Sequence, residues 1–240
     1  MKVTGEYQQV WESFWKDVPD EVGGALWDVE PALASALHLP HFEGYFDPGL
    51  PVVDLGCGNG TQTRFLAGRY DRVVGADLSR EAVARARRAD PHGAAGYEVL
   101  DAVDREAMWR LHAESGDANV YMRGVLHQCA PQDRAELVAG IAELTGVRGR
   151  VFALELAEAA KGVLGALAAA PAGPSLKLRA IFSHGVAPGE VADAAVPGYF
   201  SDAGLDILAQ GEQPLLTVEF DAAGERVKVP SKWLVAGRKG

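Results

Sequence analysis

The sequence predicts an α/β fold in which a mostly parallel sheet carries helices on both faces. Short apolar runs alternate with helical segments between residues 51 and 156, and this alternation is typical of a parallel sheet with covered faces. A glycine-rich turn follows the first apolar run, as in folds that bind a ligand at the carboxyl ends of their strands. The chain has 240 residues, 48% of them hydrophobic, which is enough for one domain with an ordinary core.

The first 50 residues are predicted to form a helical cap. Pro19 and a Gly-Gly pair end a first helix, and a second helix runs from Pro31 to about His38, because proline suits the first turn of a helix. The first helix has an aromatic face with helical spacing. Its members are Tyr7, Trp11, Phe14 and Trp15.

Residues 51–156 are predicted to form the core of the sheet. The apolar runs that we assign as strands are residues 52–55, 72–76, 96–100, 118–122 and 150–156. The helical segments between them are residues 60–69, 79–89, 104–114 and 131–145. Right-handed crossovers leave few ways to order such strands.

The alternation lapses after residue 156. Residues 157–190 are rich in Ala, Gly and Pro, with helical potential at 158–169, and we interpret residues 157–198 as an insertion. Residues 199–240 are predicted to close the domain, with a short helix at 199–203 and a hairpin turn at 221–224. The predicted closing strands are residues 205–210, 215–220 and 226–236. One domain, residues 1–240, is therefore expected.

The glycine-rich turn carries the functional argument. The stretch from Asp54 to Gly60 reads DLGCGNG and joins a strand to a helix, where glycines let the backbone approach a ligand closely. Asp77 ends the next strand, and a carboxylate there can accept hydrogen bonds from ribose hydroxyls. The glycine spacing and the acid at position 54 argue against a nicotinamide dinucleotide, since that carboxylate would repel a pyrophosphate but suits a cationic amino group.

Several stretches in order resemble the class I methyltransferases that use S-adenosylmethionine (SAM) and act on small molecules. They are VVDLGCGNGTQTRFLA, VVGADLS, YEVLDAVD and the segment from YMRGVLHQ to VFALEL, and together they cover about residues 50–156. The resemblance implies a Rossmann-like, seven-stranded, mostly parallel sheet with helices on both faces, a C-terminal antiparallel hairpin and the helical N-terminal cap. It also implies SAM as cofactor and S-adenosylhomocysteine as product.

The resemblance implies a cofactor site at the carboxyl ends of the first four strands. Its implied members are Gly56, Cys57, Gly58 and Gly60 beside the methionine part, Asp54 near the amino group, Asp77 on the ribose, Leu78, Asp101 and Ala102 at the adenine, and Arg123 beside the methyl donor.

A catalytic base and an acceptor pocket are also expected. His127 follows the fourth strand and is the leading candidate base, with a packing role as the alternative; His184 in the insertion is a weaker candidate, with an ordinary loop position as its alternative.

The cap and the insertion usually build the acceptor pocket in this family. The candidate acceptor-binding residues are Tyr7, Trp11, Trp15, Trp27, Phe182 and Tyr199, and they indicate an apolar or aromatic acceptor. The aromatic face could instead pack the cap onto the sheet.

Composition narrows the class of partner. The formal charge is −10 without a dense basic run, which disfavours nucleic acid. Two cysteines and no apolar signal core indicate a cytoplasmic protein that does not bind membranes. No carboxylate follows the fourth strand in YMRG, so we expect metal-independent chemistry. The chain could be a monomer or a homodimer.

The functional hypothesis is methyl transfer to an O, N, S or C atom of a small molecule by in-line displacement, in specialised metabolism. Two alternatives keep the cofactor. One is a methyltransferase acting on protein or RNA, and the other is a SAM-binding protein that catalyses a non-methylating reaction such as a cyclisation. An NAD-dependent oxidoreductase is a third alternative, which the glycine spacing disfavours.

Overall fold

The computed structural model describes residues 4–170, 173–221 and 223–239, and within them the chain forms one large sheet and one small one. The strands are β1 (Val52–Leu55), β2 (Val73–Asp77), β3 (Gly96–Val99), β4 (Asn119–Arg123), β5 (Val151–Leu156), β6 (Asp206–Glu212), β7 (Leu215–Phe220), β8 (Arg226–Val229) and β9 (Ser231–Gly237). The large sheet has seven strands in the order β3-β2-β1-β4-β5-β9-β6.

The strand order places a ligand crevice near the middle of the sheet. Strands β1 to β5 pair in parallel, and β9 pairs antiparallel with β5 and β6. The chain leaves β1 in one direction to β2 and β3, and returns to β4 on its other side. Ligands of open α/β sheets bind outside the carboxyl ends of the strands at such a reversal. The predicted fold class is confirmed.

Helices cover both faces of the sheet. They are α1 (Thr4–Asp17), α2 (Ser35–Phe42), α3 (Thr61–Ala67), α4 (Arg80–Ala89), α5 (Arg105–Ser115), α6 (Arg134–Thr145), α7 (Ala160–Ala168), α8 (Leu176–His184) and α9 (Ala195–Asp202). Successive strand residues point to opposite faces, so Val53 packs in a cluster with α5 and α6, and Val52 in a second cluster with α2 and α3. Side-chain N-caps begin two of the helices that follow strands, Ser79 for α4 and Asp104 for α5.

The insertion contains a helix that the sequence analysis did not predict. Helix α8 begins at Ser175, whose hydroxyl accepts a hydrogen bond from the Leu178 amide, and ends at Gly185 in the left-handed conformation. Both signals are standard helix ends, but the helix between them, LKLRAIFSH, has only nine residues. A second part of the insertion is therefore ordered against the cap.

The closing segment also differs from the prediction. Residues 226–236 form two strands instead of one, because Pro230 has no amide hydrogen to donate and separates β8 from β9. Strands β7 and β8 pair only with each other, outside the large sheet. The short helix predicted at 199–203 begins earlier, at Ala195. No helix of the described residues is long and apolar enough to span a membrane.

Candidate active site

A large cavity lies at the carboxyl ends of the parallel strands. Its volume is about 830 Å³, within the usual range for small-molecule sites. The strand ends and their loops line one side. Helices α1, α7 and α8 and the hairpin of β7 and β8 line the other side. The cap and the insertion therefore cover the cavity, as the sequence analysis expected.

The glycine-rich turn brings two of its three motif glycines to the cavity wall. Gly56 and Gly58 line the cavity with φ of 74° and 56°, a conformation that side chains rarely adopt. A Cβ atom at Gly58 would lie 2.8 Å from the ring of Trp15, which covers the turn. Gly60 does not line the cavity, and packs instead against Ala86 and Tyr97.

Asp77 joins the glycine-rich turn to the end of β2. Its carboxylate accepts hydrogen bonds from the amides of Gly58 and Ser79, each at 2.9 Å. Burial raises the pKa of this carboxyl. Asp77 and the next residue, Leu78, both line the cavity, and Gln8 of α1 donates a hydrogen bond to the Leu78 carbonyl oxygen at 3.2 Å. The predicted ribose-binding position is therefore fixed at the cavity wall.

The loop after β3 supplies the third part of the predicted cofactor site. Asp101 and Ala102 line the cavity, and the Asp101 carboxylate accepts a hydrogen bond from the Val103 amide at 3.0 Å. With Asp77, this carboxylate makes one end of the cavity acidic. That polarity favours a cationic ligand.

Asp54 lies behind the cavity wall, away from the place that the sequence analysis expected. It is 3% exposed, and its carboxylate accepts a hydrogen bond from the Thr63 hydroxyl at 2.5 Å. The acid that lines the cavity beside the glycine-rich turn is Asp28, which the sequence analysis missed. Asp28 accepts hydrogen bonds from the Gly23 amide at 2.9 Å and the Asn59 side chain at 2.7 Å. A buried acid in an aromatic segment of the cap was the available signal.

Burial gives Asp54 a pH-dependent effect on stability. It raises the pKa of this carboxyl from 3.8 to about 6, so the folded state binds a proton that the unfolded state releases. The contribution to stability is complete below about pH 4 and is lost as the pH rises through 6. Asp54→Asn keeps an acceptor for Thr63, and we expect its stability relative to the wild type to rise by about 2 kcal/mol between pH 4.5 and pH 7.5.

Urea unfolding at both pH values measures this gain. Asp206→Asn is the control, because Lys239 lowers the pKa of the Asp206 carboxyl, so its charged form is present at both pH values and the loss of stability in this variant should be nearly the same at each. If the difference in unfolding free energy between Asp54→Asn and the wild type does not change with pH, the raised pKa of Asp54 is contradicted.

Arg123, at the end of β4, connects the sheet to the cap. It lines the cavity, and its guanidinium donates a hydrogen bond to the Trp27 carbonyl oxygen at 3.1 Å. Trp27 also lines the cavity and stacks on Phe14 of α1. The predicted position of Arg123 beside the ligand is compatible with this geometry.

His127 lies in the cavity wall and makes a buried contact with Glu155. Its Nδ1 is 2.7 Å from the Glu155 carboxylate, and the two residues are 6% and 3% exposed. Glu155 was not predicted, although an ionisable residue inside the apolar strand β5 was a signal. The geometry suits a base, because His127 lines the cavity and its Nδ1 is engaged by the carboxylate.

The remaining candidates divide between the cavity and its surroundings. Tyr199 on α9 packs against the core cluster beside α5 and α6 and does not line the cavity, because α9 lies on that face of the sheet. His184 lies outside the cavity wall and is 3.2 Å from the Asp17 carboxylate. The candidates that do line the cavity are Tyr7, Trp11, Trp15, Trp27, Phe182 and Cys57.

The cavity fits the predicted cofactor in size and polarity. The Tyr7 hydroxyl is buried in its wall beside Trp11 and makes no hydrogen bond of good geometry with the described residues, so a ligand would satisfy it better. Carboxylates at one end suit hydroxyl donors and a cationic centre. No group of three or more His, Cys, Asp or Glu side chains in the described part of the chain is placed to hold a metal ion.

Comparison with known proteins identifies the class. The sequence profile of the methyltransferase domain family matches residues 52–149. A SAM-dependent methyltransferase from Anabaena variabilis is 30% identical, with a TM-score of 0.88 over 100% of this chain and 96% of that one. Magnesium protoporphyrin IX methyltransferase from Synechocystis, solved with bound S-adenosylhomocysteine, is 18% identical, with a TM-score of 0.59 over 96% of this chain and 94% of that one.

A geranyl diphosphate C-methyltransferase from Streptomyces coelicolor is 14% identical, with a TM-score of 0.63 over 97% of this chain and 98% of that one. None of the curated proteins matches the chain. Fold and site together define a class I methyltransferase. The chain belongs to the SAM-dependent methyltransferases, and its cofactor is SAM. The sequence-based predictions of family and cofactor are confirmed.

Proposed function

We propose that the protein transfers the methyl group of SAM to a small, largely apolar acceptor by in-line displacement. One observation carries this proposal: a single cavity is lined at one end by the motif residues of the cofactor site and at the other by apolar side chains of α7, α8 and the β7–β8 hairpin. Two ligands bound in one cavity can align a nucleophile with a methyl group.

The cofactor end is assigned to residues 51–156. We propose that Asp77 accepts hydrogen bonds from the ribose hydroxyls and that the loop of Asp101 and Ala102 binds the adenine. Gly56 and Gly58 leave room for the methionine part, and Asp28 reaches the same turn through Asn59. The bound cofactor supplies an activated methyl group on a cationic sulfur, which the acidic wall favours.

The acceptor end is assigned to residues 1–50, 157–198 and the hairpin. Its polar groups are largely paired within the protein: the Thr217 hydroxyl donates to the Val227 carbonyl oxygen at 3.1 Å, and Lys161 pairs with Glu190 at 2.5 Å. An acceptor bearing phosphate groups would therefore find little free positive charge. The apolar side chains that support this assignment are Leu164, Leu178, Ile181, Leu215 and Val229.

The chain itself contributes alignment, exclusion of water and acceptance of a proton. Trp11, Trp15 and Trp27 line the cavity from the cap, and excluding water from an apolar site strengthens the electrostatic interactions inside it. His127 is the proposed proton acceptor. Metal independence, a cytoplasmic location and a role in specialised metabolism stay predictions.

Calorimetric titration with S-adenosylhomocysteine, followed by incubation of SAM with a panel of small apolar acceptors, tests the proposal. We expect micromolar binding and a product heavier by one methyl group. Consumption of SAM without that mass gain would favour the non-methylating alternative. Methylation of added protein or RNA in preference to every small acceptor would contradict the small-molecule assignment.

The two ends of the cavity should respond separately to mutation. Leu164→Ala removes apolar surface from the acceptor end, so we expect KM for the acceptor to rise about tenfold, since a lost side chain of this size is worth about 1–3 kcal/mol. The affinity for S-adenosylhomocysteine should stay unchanged. Val163→Ala is the matched control, because Val163 is on the same helix and does not line the cavity. Equal effects of the two substitutions on KM would contradict the assignment.

A further inference from the structure

We infer that Glu155 is a positioning residue that fixes the tautomer of His127, so that the Nε2 atom of His127 takes a proton from the acceptor. This inference rests on the proposed function and deepens it. It also restricts the acceptor to a nucleophile that carries a hydrogen, such as a phenol, an enol or an alcohol.

The Glu155 carboxylate is held by four donors from one turn. Its Oε1 accepts hydrogen bonds from the amides of Val125 at 3.0 Å and Leu126 at 2.9 Å. Its Oε2 contacts the His127 amide at 3.3 Å and the His127 ring at Nδ1 at 2.7 Å. Three backbone amides donate to this carboxylate, so both of its oxygens already act as acceptors. An ionised carboxylate only accepts hydrogen bonds.

The proton of the neutral His127 ring must therefore reside on Nδ1. A hydrogen bond that one ring nitrogen donates leaves the lone pair on the other ring nitrogen. Because Nδ1 faces the Glu155 carboxylate, the nitrogen with the lone pair is Nε2. Gly124 leaves room at this edge of the ring: it has a φ of 71°, and a Cβ atom there would lie 3.1 Å from Cε1 and 3.6 Å from Nε2. The Gly189 amide donates to the His127 carbonyl oxygen at 2.8 Å, which ties the turn to the insertion.

The proton balance identifies the acceptor class. The acceptor's X–H group loses its proton to Nε2 while X bonds to the methyl carbon and the carbon–sulfur bond breaks. The electron pair of that bond stays on sulfur, which leaves neutral S-adenosylhomocysteine. The imidazolium then sits against the Glu155 carboxylate, and water removes its proton. A tertiary amine or a thioether has no proton to give, and would gain nothing from this arrangement.

Nitrogen-15 NMR of histidine-labelled protein, without any ligand, reads the tautomer directly. We expect the His127 signals of a neutral ring protonated at Nδ1. His112 supplies an internal reference of the opposite kind, because its Nε2 contacts Asp117 at 3.0 Å. In Glu155→Gln the amide oxygen should stay with the Val125 and Leu126 amides, so the amide nitrogen takes the place of Oε2, gives up the long contact with the His127 amide and should invert the tautomer of the ring.

Two variants connect the tautomer to catalysis. His127→Asn keeps a donor for Glu155 but has no atom at the position of Nε2, and Glu155→Gln keeps the shape of the acid. For both we expect kcat to fall by about 100-fold or more, which is the usual contribution of a general base. KM for the acceptor and the affinity for S-adenosylhomocysteine should change less than about threefold. His112→Gln, which changes a histidine–carboxylate pair far from the cavity, should leave kcat unchanged.

The outcomes separate this inference from the proposed function. A wild-type His127 ring protonated at Nε2 would overturn the inference, whatever the activity. So would a kcat within about threefold of wild type in His127→Asn. If Glu155→Gln does not fold, the wild-type spectrum and His127→Asn still decide. A protein that fails to bind S-adenosylhomocysteine would contradict the proposed function while leaving the NMR result readable.

Discussion

Replacing Asp77 with alanine is expected to weaken the binding of S-adenosylhomocysteine by at least about 100-fold. Hydrogen bonds to a charged group contribute about 1.5–3 kcal/mol each, and the proposed role of Asp77 is to accept two from the ribose. The same carboxylate also holds the Gly58 amide, so its loss loosens the turn that faces the ligand. Calorimetric titration of both proteins measures the change.

Two controls separate a lost ligand contact from lost stability. Asp77→Asn keeps the shape and one acceptor oxygen, and should fall between alanine and the wild type. Asp71→Ala removes an exposed acid at the opposite end of the same strand and should bind normally. If a folded Asp77→Ala protein binds S-adenosylhomocysteine with nearly wild-type affinity, the proposed role of Asp77 in the cofactor site is wrong.

The pH dependence of binding tests the same residue without a substitution. Burial raises the pKa of the Asp77 carboxyl, and only the ionised form accepts from both ribose hydroxyls. The affinity for S-adenosylhomocysteine should therefore be constant at neutral pH and fall on acidification. The fall should begin at a higher pH than it would for an aspartate with an ordinary pKa.

The parts of the fold that sequence analysis predicted are those with local signals. Strands β1, β2, β4 and β5 are mostly buried runs, and a capping residue or a glycine follows each of β1 to β4 within a few positions. The glycine-rich turn and Asp77 belong to this group, because a strand, its turn and the end of the neighbouring strand are brought together by the parallel pairing itself. Their common position at the cavity follows from topology alone.

The parts that could not be predicted depend on contacts between distant segments. Glu155 meets His127 only because β5 lies beside β4, and Asp28 reaches the glycine-rich turn from the cap. Tyr199 was misplaced because an aromatic side chain in a loop-rich segment has no periodic signal for its direction. Asp54 was expected to face the ligand, but its side chain bonds with Thr63 on α3 instead.

Placing a methyl group at position 58 is expected to displace Trp15 and weaken cofactor binding by about 30-fold or more. A side chain in the left-handed region costs about 1–2 kcal/mol, and the new Cβ atom of Gly58→Ala would lie 2.8 Å from the Trp15 ring. Trp15 is 4% exposed in a packed cluster, so the ring cannot shift freely. Calorimetry measures the affinity, and Trp15 fluorescence reports the displacement.

Gly93 provides a control that isolates the collision from the backbone strain. Its φ is 65°, and a Cβ atom there would meet no atom within 4 Å, so Gly93→Ala carries the strain alone. We expect Gly58→Ala to be destabilised more than Gly93→Ala, and only Gly58→Ala to lose cofactor affinity. Combining Gly58→Ala with Trp15→Leu should recover part of the lost stability, because contacting residues are not additive. If both alanine variants lose equal stability and both bind S-adenosylhomocysteine normally, Trp15 does not close the cofactor site.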